Sequence, residues 1–567
     1  MSERRIVAWG RCGGSRLSQG AGGLFFAMLL ASPVLAQTPP SPGAVLQPAQ
    51  VPQPAPEAPA ARVIALPAPA ARTKGGTRLL IPVRRFRIKG NHWLPTSRVE
   101  ALVAPAAGRT LTLGQIDAVV GRITDAYRAA GYPVAYAYLP AQTIRDGVLE
   151  IRVVEPRYDR IILAGPSRLD DAQTLATVGV KAGDPVAERP LARGLLLLQQ
   201  TPGLTVKGVL VPGAQPGTSS LKLERKDQRI LSASVSVDNH GNSYTGRGLA
   251  SATLTARGPF RRGSLFSANA LTSQSGGLVA GGVMLVSPDL HNGLRAGAYA
   301  SASRYHLGGA FAALEQTGRS AQAGVDVAYP LVLQPGRQAE LRLDLLKTWL
   351  SQDTRATGAV SGQHLAIARL SFGGALRDAR GGLTSGRIAL SLGRLALSPA
   401  ADQAADAAGP RAAGSFALLR VNLSRSQRLP HGFTLSAYLS AQLSSRNLDS
   451  SQQFFLGGPD GVMSTDVGSG GGDEGLLLRL KLSHPLPAAR LSGRLDAALI
   501  AQFGAVRVHH SLYARAGALN DVSAGALGIG VNYTRGDVTL QAAIVAPVES
   551  HGLSASGHLW LATSIAL

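Results

Sequence analysis

The chain has 567 residues, of which 45% are apolar and only 16% charged, with a formal net charge of +23 and one cysteine, Cys12. This is too apolar for a disordered protein, and after the N-terminus no apolar run approaches the ~20 residues of a helical membrane span. The arginines are dispersed and aromatics make up 5%, which argues against nucleic acid as a partner, since that surface clusters its cations among aromatics.

The N-terminus reads as an export signal over residues 1–36. Arg4, Arg5, Arg11 and Arg16 form its basic region, Leu24 to Leu30 its short apolar core, and Val34-Leu35-Ala36 a small-residue cleavage site. With Cys12 in that leader, the mature chain has no thiol for a disulfide or a thiolate metal site. Residues 37–76 form a Pro/Ala-rich linker, expected to be extended; the Pro-rich part, 38 to 60, is expected to form no helix.

Residues 77–155 read as a small α+β module. Val83 to Lys89 is expected as a strand. Ser97 and Glu100 are spaced as a capping box, and so are Thr112 and Gln115. After Thr112, the apolar residues Ile116, Val119, Val120, Ile123 and Tyr127 recur at helical spacing, and Gly131 marks the stop. Val134 to Leu139 and Val148 to Val154 are expected strands, joined across the turn Asp146-Gly147. Residues 156–227 repeat the order, with strands at 160–163, 205–211 and 220–224 and helices at 169–178 and 190–200.

From Ile230 onward the period is two. In Phe433 to Leu443, Phe433, Leu435, Ala437, Leu439, Ala441 and Leu443 oppose Thr434, Ser436, Tyr438, Ser440 and Gln442. Alternating segments of ~10 residues suit tilted strands crossing a bilayer, where a closed barrel pairs every backbone group. At roughly 21 residues per strand and connection, residues 228–567 hold about 16 strands, an even number as such barrels require. The fold class is therefore two α+β domains followed by an all-β transmembrane barrel, and a basic lumen accounts for the excess charge.

Several motifs add a family resemblance. Phe86 to Gly90-Asn91, Gly131-Tyr132, Leu139-Pro140 with Gln142, Asp146-Gly147 and Val153 to Glu155 together resemble a POTRA domain. The subtype is that of the TpsB transporters of two-partner secretion, the ShlB/FhaC/HecB-like hemolysin secretion/activation proteins. Val211 to Thr218 resembles the second POTRA domain, and Val237 to Gly246 the opening of the family's barrel. Gly457, Gly458, Pro459, Asp460, Gly461, Val462 and Met463 resemble the start of its lid loop, placed at about 456–475.

The resemblance implies an outer-membrane pore of a Gram-negative bacterium. Its periplasmic POTRA domains capture an unfolded client by adding a strand to a sheet edge. The client is a TpsA-like exoprotein, often a β-helical adhesin or hemolysin. Outer-membrane lipids surround the pore, and the barrel assembly machinery inserts it. The alternatives are an assembly factor (insertase) of the same superfamily and a diffusive porin.

Three features depart from the family. The lid Arg is replaced by Met463, and the barrel-wall Asp aligns with Gln502, in the segment ending at Gly504. Losing one charge alone would strand its buried partner at a cost of ~3–5 kcal/mol, so the joint loss is coherent; it implies a weakly held lid and a leakier pore. The Pro-rich stretch 38 to 60 is expected not to form the family's N-terminal plug helix, which leaves a short helix around Ala60 to Leu66 as the alternative. No catalytic, metal or cofactor set is expected. His509 and His510 are expected to face opposite sides of a strand, Gly468 to Gly472 to be a flexible stretch, and Asp473 with Glu474 to be solvated.

Overall fold

The computed structural model describes residues 39–49, 59, 64–65, 80–487, 492–514, 516–517 and 519–567. The leader and most of the linker lie outside the described residues. Among those described, no helix is long and apolar enough to cross a membrane.

The first module holds a sheet in which Arg85–Lys89 runs parallel to Val148–Val154, with Tyr136–Tyr138 antiparallel on its other side. The expected strand from Val83 is two strands. Leu80–Val83 pairs with Arg109–Thr112. The break falls at Arg84, where the Gly147 carbonyl accepts from the Arg84 and Arg85 amides at 2.7 and 3.3 Å. Helix Leu113–Ala129 carries the full Thr112/Gln115 capping box, and Ile116, Ile123 and Tyr127 are fully buried. The Ser97 box does not form. The cap falls two residues early: helix Thr96–Val103 has Pro95 at the cap position. Pro95 fixes the entry dihedral, so Ser97 falls inside the first turn, where its hydroxyl caps nothing.

The second module packs helices Asp171–Val178 and Glu188–Gln199 on strands Leu204–Pro212, Thr218–Asp227 and Arg157–Ala164. Its core, built on Leu191, Leu195 and Leu198, takes in Leu333 from the barrel. Arg193 donates to the Asn292 side chain at 3.1 Å and to the Pro330 carbonyl at 3.3 Å, and Arg295 donates to the Gln200 carbonyl at 2.9 Å. The barrel end bearing Asn292, Arg295 and Pro330 is thus the end that meets the second module.

Among the described residues sixteen antiparallel strands close into a barrel. The first, Leu231–Asp238, pairs with the last, His558–Ala566. Period-two alternation produces the wall: on the seventh strand, Arg337–Thr354, Leu341, Leu343 and Leu345 face outward while Arg342, Asp344 and Leu346 turn inward. The sixth and eighth strands reach 19 residues, well beyond the ~10 that cross a bilayer.

Two stretches of the linker are structured. Pro42–Leu46 is a helical turn capped by Ser41, whose hydroxyl accepts from the Ala44 amide. Proline is tolerated at the first helical position because its missing N–H would be unpaired there anyway; the expectation of no helix averaged over the Pro content. This turn is inside the barrel. Val45 is fully buried among inward residues Tyr305, Leu350, Ile367 and Phe416, and the Gly43 amide donates to the Ser450 hydroxyl at 3.3 Å. Further along, Ile64–Ala65 pairs in parallel with Gly208 and Val209 at the second module's sheet edge.

Candidate functional site

The loop after the eleventh strand, Thr434–Ser444, folds back into the barrel as a lid. Its tip is a tight turn: the Val462 amide donates to the Leu456 carbonyl at 2.7 Å. A Cβ on Gly461 would sit 1.7 Å from that carbonyl oxygen, and one on Gly457 would sit 1.9 Å from the Asp466 carbonyl oxygen. These positions admit only glycine. Gly458 has φ +105, a backbone that other residues rarely adopt.

The tip lies against the thirteenth strand, Arg494–Arg507. Gly504 makes the room, because a Cβ there would come within 2.4 Å of Leu456 and 3.2 Å of Val462. Leu456, Val462, Ser464 and Thr465 are fully buried. Next to Val462, the Met463 amide donates to Gln502 Oε1 at 2.8 Å, and the Trp560 indole N–H donates to the Met463 carbonyl at 2.9 Å. The Met463 side chain packs with Val467, Val545 and Trp560. The Asn242 side chain holds the Val467 carbonyl at 2.9 Å, and the Ser556 amide donates to the Ser464 carbonyl at 2.8 Å. One acceptor, Gln502, and three donors, Trp560, Asn242 and Ser556, come from distant stretches of the barrel, so the loop is clipped on several sides.

A charge does reach the tip, from the wall. Arg479, the cross-strand partner of Gln502, lies 3.6 Å from the Asp460 carboxylate and stacks over Tyr438 at 4.6 Å. The Asp460 side chain is 91% exposed, so this pair contributes at most ~1 kcal/mol. Pro459 joins it through its carbonyl, which accepts from Arg479 at 3.4 Å.

Asp473, expected to be solvated, is fully buried. Its carboxylate accepts from the Leu448 amide at 3.0 Å, Gln453 Nε2 at 3.1 Å and the His510 amide at 2.9 Å, tying the lid's base to the loop after the thirteenth strand. The flexible stretch is partly a strand, since Gly471–Gly472 pairs with Phe454–Phe455. His509 and His510 lie beyond the end of the thirteenth strand. His510 Nδ1 is 2.8 Å from Glu474, and His509 meets the Tyr513 ring.

Inside the wall, Arg342, Arg369 and Arg420 face the lumen, together with the acidic Asp326 and Asp344. Arg342 pairs with Asp326 at 2.8 Å, Arg369 lies across from Asp344, and Arg420 donates to Gln442 at 2.7 Å and to the Gln452 carbonyl at 2.9 Å.

The remaining predicted residues shape the first module and do not join the lid. Gln142 clips the strand Val148–Val154, exchanging two 2.8 Å bonds with the Glu150 backbone, and its Nε2 also reaches the Pro140 carbonyl. Gly90 (φ +84) passes close to the Val153 carbonyl. Asp146 and Gly147, at φ 55 and 67, form the left-handed turn expected of them, and Gly131 (φ 93) ends the helix. Leu139 and Tyr132 pack on the core, Tyr132 against Trp93 at 4.7 Å. Glu155 is the module's hidden node. It accepts from Tyr127 Oη at 2.7 Å and from the His92 and Trp93 amides at 2.8 Å. Burial first, then that hydrogen bond and charge, push the Tyr127 hydroxyl well above the usual tyrosine range.

A family model described as "POTRA domain, ShlB-type" matches residues 81–156, and one described as "Haemolysin secretion/activation protein ShlB/FhaC/HecB" matches residues 217–531. The chain belongs to this family. The ShlB/FhaC/HecB transporters are outer-membrane pores that work with a secreted TpsA-type partner exoprotein, their POTRA domains in the periplasm, and this chain is such a pore. It is 24% identical over 490 residues to a heme/hemopexin transporter protein, HuxB, of Haemophilus influenzae, covering 85% of this chain and 86% of that one. It is 27% identical over 192 residues to the outer membrane transporter CdiB of Escherichia coli, 34% of this chain and 32% of that one. The structure of CdiB from Escherichia coli superposes with a TM-score of 0.70 at 19% identity, covering 88% and 93% of the two chains. CdiB from Acinetobacter baumannii gives 0.61 at 14% identity, covering 92% and 96%. In this ShlB-type chain the positions expected to hold the lid's charged lock meet as a neutral clip.

Proposed function

We propose that the pore rests closed and opens only for its client. The lid and residues 42–46 fill the lumen at rest, and the client, captured in the periplasm, displaces them. The observation that carries this reading is the clip at Met463: a buried amide and carbonyl, both satisfied by barrel side chains. An unpaired buried amide costs ~1–3 kcal/mol, so leaving the clip is unfavourable without a replacement partner, and a passing chain offers one.

Capture is by strand addition to a sheet edge. The edge strand Leu204–Pro212 already accepts Ile64–Ala65 in this way, which supports the second module as a capture surface. Relatives matched over most of the chain are named for heme/hemopexin transport; on that ground the client is a secreted protein acting on heme or hemopexin. The barrel assembly machinery inserts the pore among outer-membrane lipids.

Deleting residues 77–155 tests whether the first module shares in capture with the second. Secretion of the client is abolished while the barrel still inserts. Secretion that survives the deletion overturns client capture by that module, and misassembled barrels on depletion would point to an insertase instead.

A further inference from the structure

One part of the barrel's outer face departs from the apolar band around it. On the seventh strand Lys347 faces outward between Leu345 and Trp349, and on the ninth, Leu383–Ser398, Arg394 faces outward beyond Leu392. The register puts Ala366 of the eighth strand directly between the two cations, and Ala368 directly between Leu345 and Leu392. Two strand spacings, about 10 Å, therefore separate the cations across a low floor of alanine. The result is a depression of about 1020 Å³ in the outer wall.

Neither cation has a carboxylate partner among the described residues. Lys347 Nζ instead lies 5.3 Å from the centre of the Trp349 ring. An outward Trp marks the membrane interface, so the cations sit at headgroup level with apolar wall beneath them. The vertical order follows from the chain. Gln338, at the start of the seventh strand, bonds to Gln200 of the second module, so that strand runs away from the periplasm and Lys347 lies on the extracellular side of Leu345. A second pair, without a carboxylate partner among the described residues, lies farther out: Arg304 and Arg319 are directly opposed on neighbouring strands, both outward. Like charges directly opposed are unfavourable unless an anion lies between them.

We propose that this depression binds a phosphorylated, multiply acylated lipid of the outer leaflet. Its phosphate sits between Lys347 and Arg394, and an acyl chain lies over Ala368 between Leu345 and Leu392. The cations stand on the extracellular side of the apolar floor, which matches an outer-leaflet amphiphile and opposes an inner-leaflet one. Both side chains are long enough to keep their charged ends at the phosphate level.

The test uses the full-length protein in detergent and three probes: diphosphoryl lipid A, its dephosphorylated form and inorganic phosphate. Binding is followed by native mass spectrometry, and folding is checked by heat-dependent gel migration. Lys347→Gln with Arg394→Gln is expected to weaken diphosphoryl lipid A by roughly thirtyfold, the sum of two surface cations, with the dephosphorylated form unchanged. Ala368→Leu is expected to weaken both acylated probes and leave the barrel's folding intact. The proposal is overturned if the double variant binds diphosphoryl lipid A as the parent does. It is also overturned if the dephosphorylated form binds the parent as tightly, or if inorganic phosphate matches the lipid.

Discussion

The Met463 amide donates to the Gln502 side chain at 2.8 Å, across the gap between lid and barrel wall. These are the two positions where a charged pair was expected and is absent. An amide–amide contact needs no ionised group, so it avoids the desolvation of a buried ion pair. The weakly held lid expected from the missing charges is therefore not what this geometry favours.

Gln502→Ala leaves the Met463 amide buried without its partner, at a cost of ~1–3 kcal/mol. The lid should then leave the wall more often. The expected outcome is a resting conductance in planar bilayers several-fold above the parent, with the melting behaviour of the barrel little changed. Conductance equal to the parent's would remove Gln502 from the gating account.

Met463→Arg alone places a cation in the apolar cluster of Val467, Val545 and Trp560. An unpaired buried charge costs ~3–5 kcal/mol, so this variant should open the pore further than Gln502→Ala. Adding Gln502→Asp supplies the counter-charge and should bring conductance back to the parent level or below. The measurement is the conductance of both variants in the same bilayer. A double variant as leaky as the single one would show that position 502 does not face position 463 in the closed pore.

The barrel was legible because period two is a direct imprint of a wall with one face to lipid. The capped helix after Thr112 was legible because its bonds are local. What sequence could not supply were bonds between distant residues. Asp473 reads as solvated beside five residues rich in glycine, yet its partners are the amides of Leu448 and His510, brought near by the pairing of the eleventh, twelfth and thirteenth strands. Trp560, near the C-terminus, gave no sign that it would hold the lid. The turn at 42–46 was lost to an average over prolines, although Ser41 and Pro42 are a local start signal. Residues 64–65 join the sheet through backbone pairing, which leaves little trace in composition.

Tyr127 ties pH to the first module's stability. Its hydroxyl is held protonated by burial and by the hydrogen bond to Glu155. The folded pKa lies above the unfolded value of about 10, so the contribution is complete below that pH and is lost as pH rises above it. Hydrogen exchange of residues 113–155 in the intact protein should accelerate in strongly alkaline buffer. Tyr127→Phe should abolish that extra acceleration while costing about 2 kcal/mol at neutral pH through the lost bond to a carboxylate. An unchanged alkaline response in the Phe variant would assign the effect to another group.

The pairing of Ile64–Ala65 with Gly208 and Val209 makes the sheet edge of the second module a contested surface. A client strand and the linker cannot both bond to the same backbone groups. The linker holds its place by two paired residues and by tethering, which supplies a high effective concentration. Replacing both with proline removes two N–H donors and strains any remaining pairing. The full-length double variant should therefore bind a client-derived peptide several-fold more tightly than the parent, read by fluorescence anisotropy. If the peptide binds both proteins equally, the linker and the client use different edges, and capture must be sought at the first module, beside Tyr136–Tyr138.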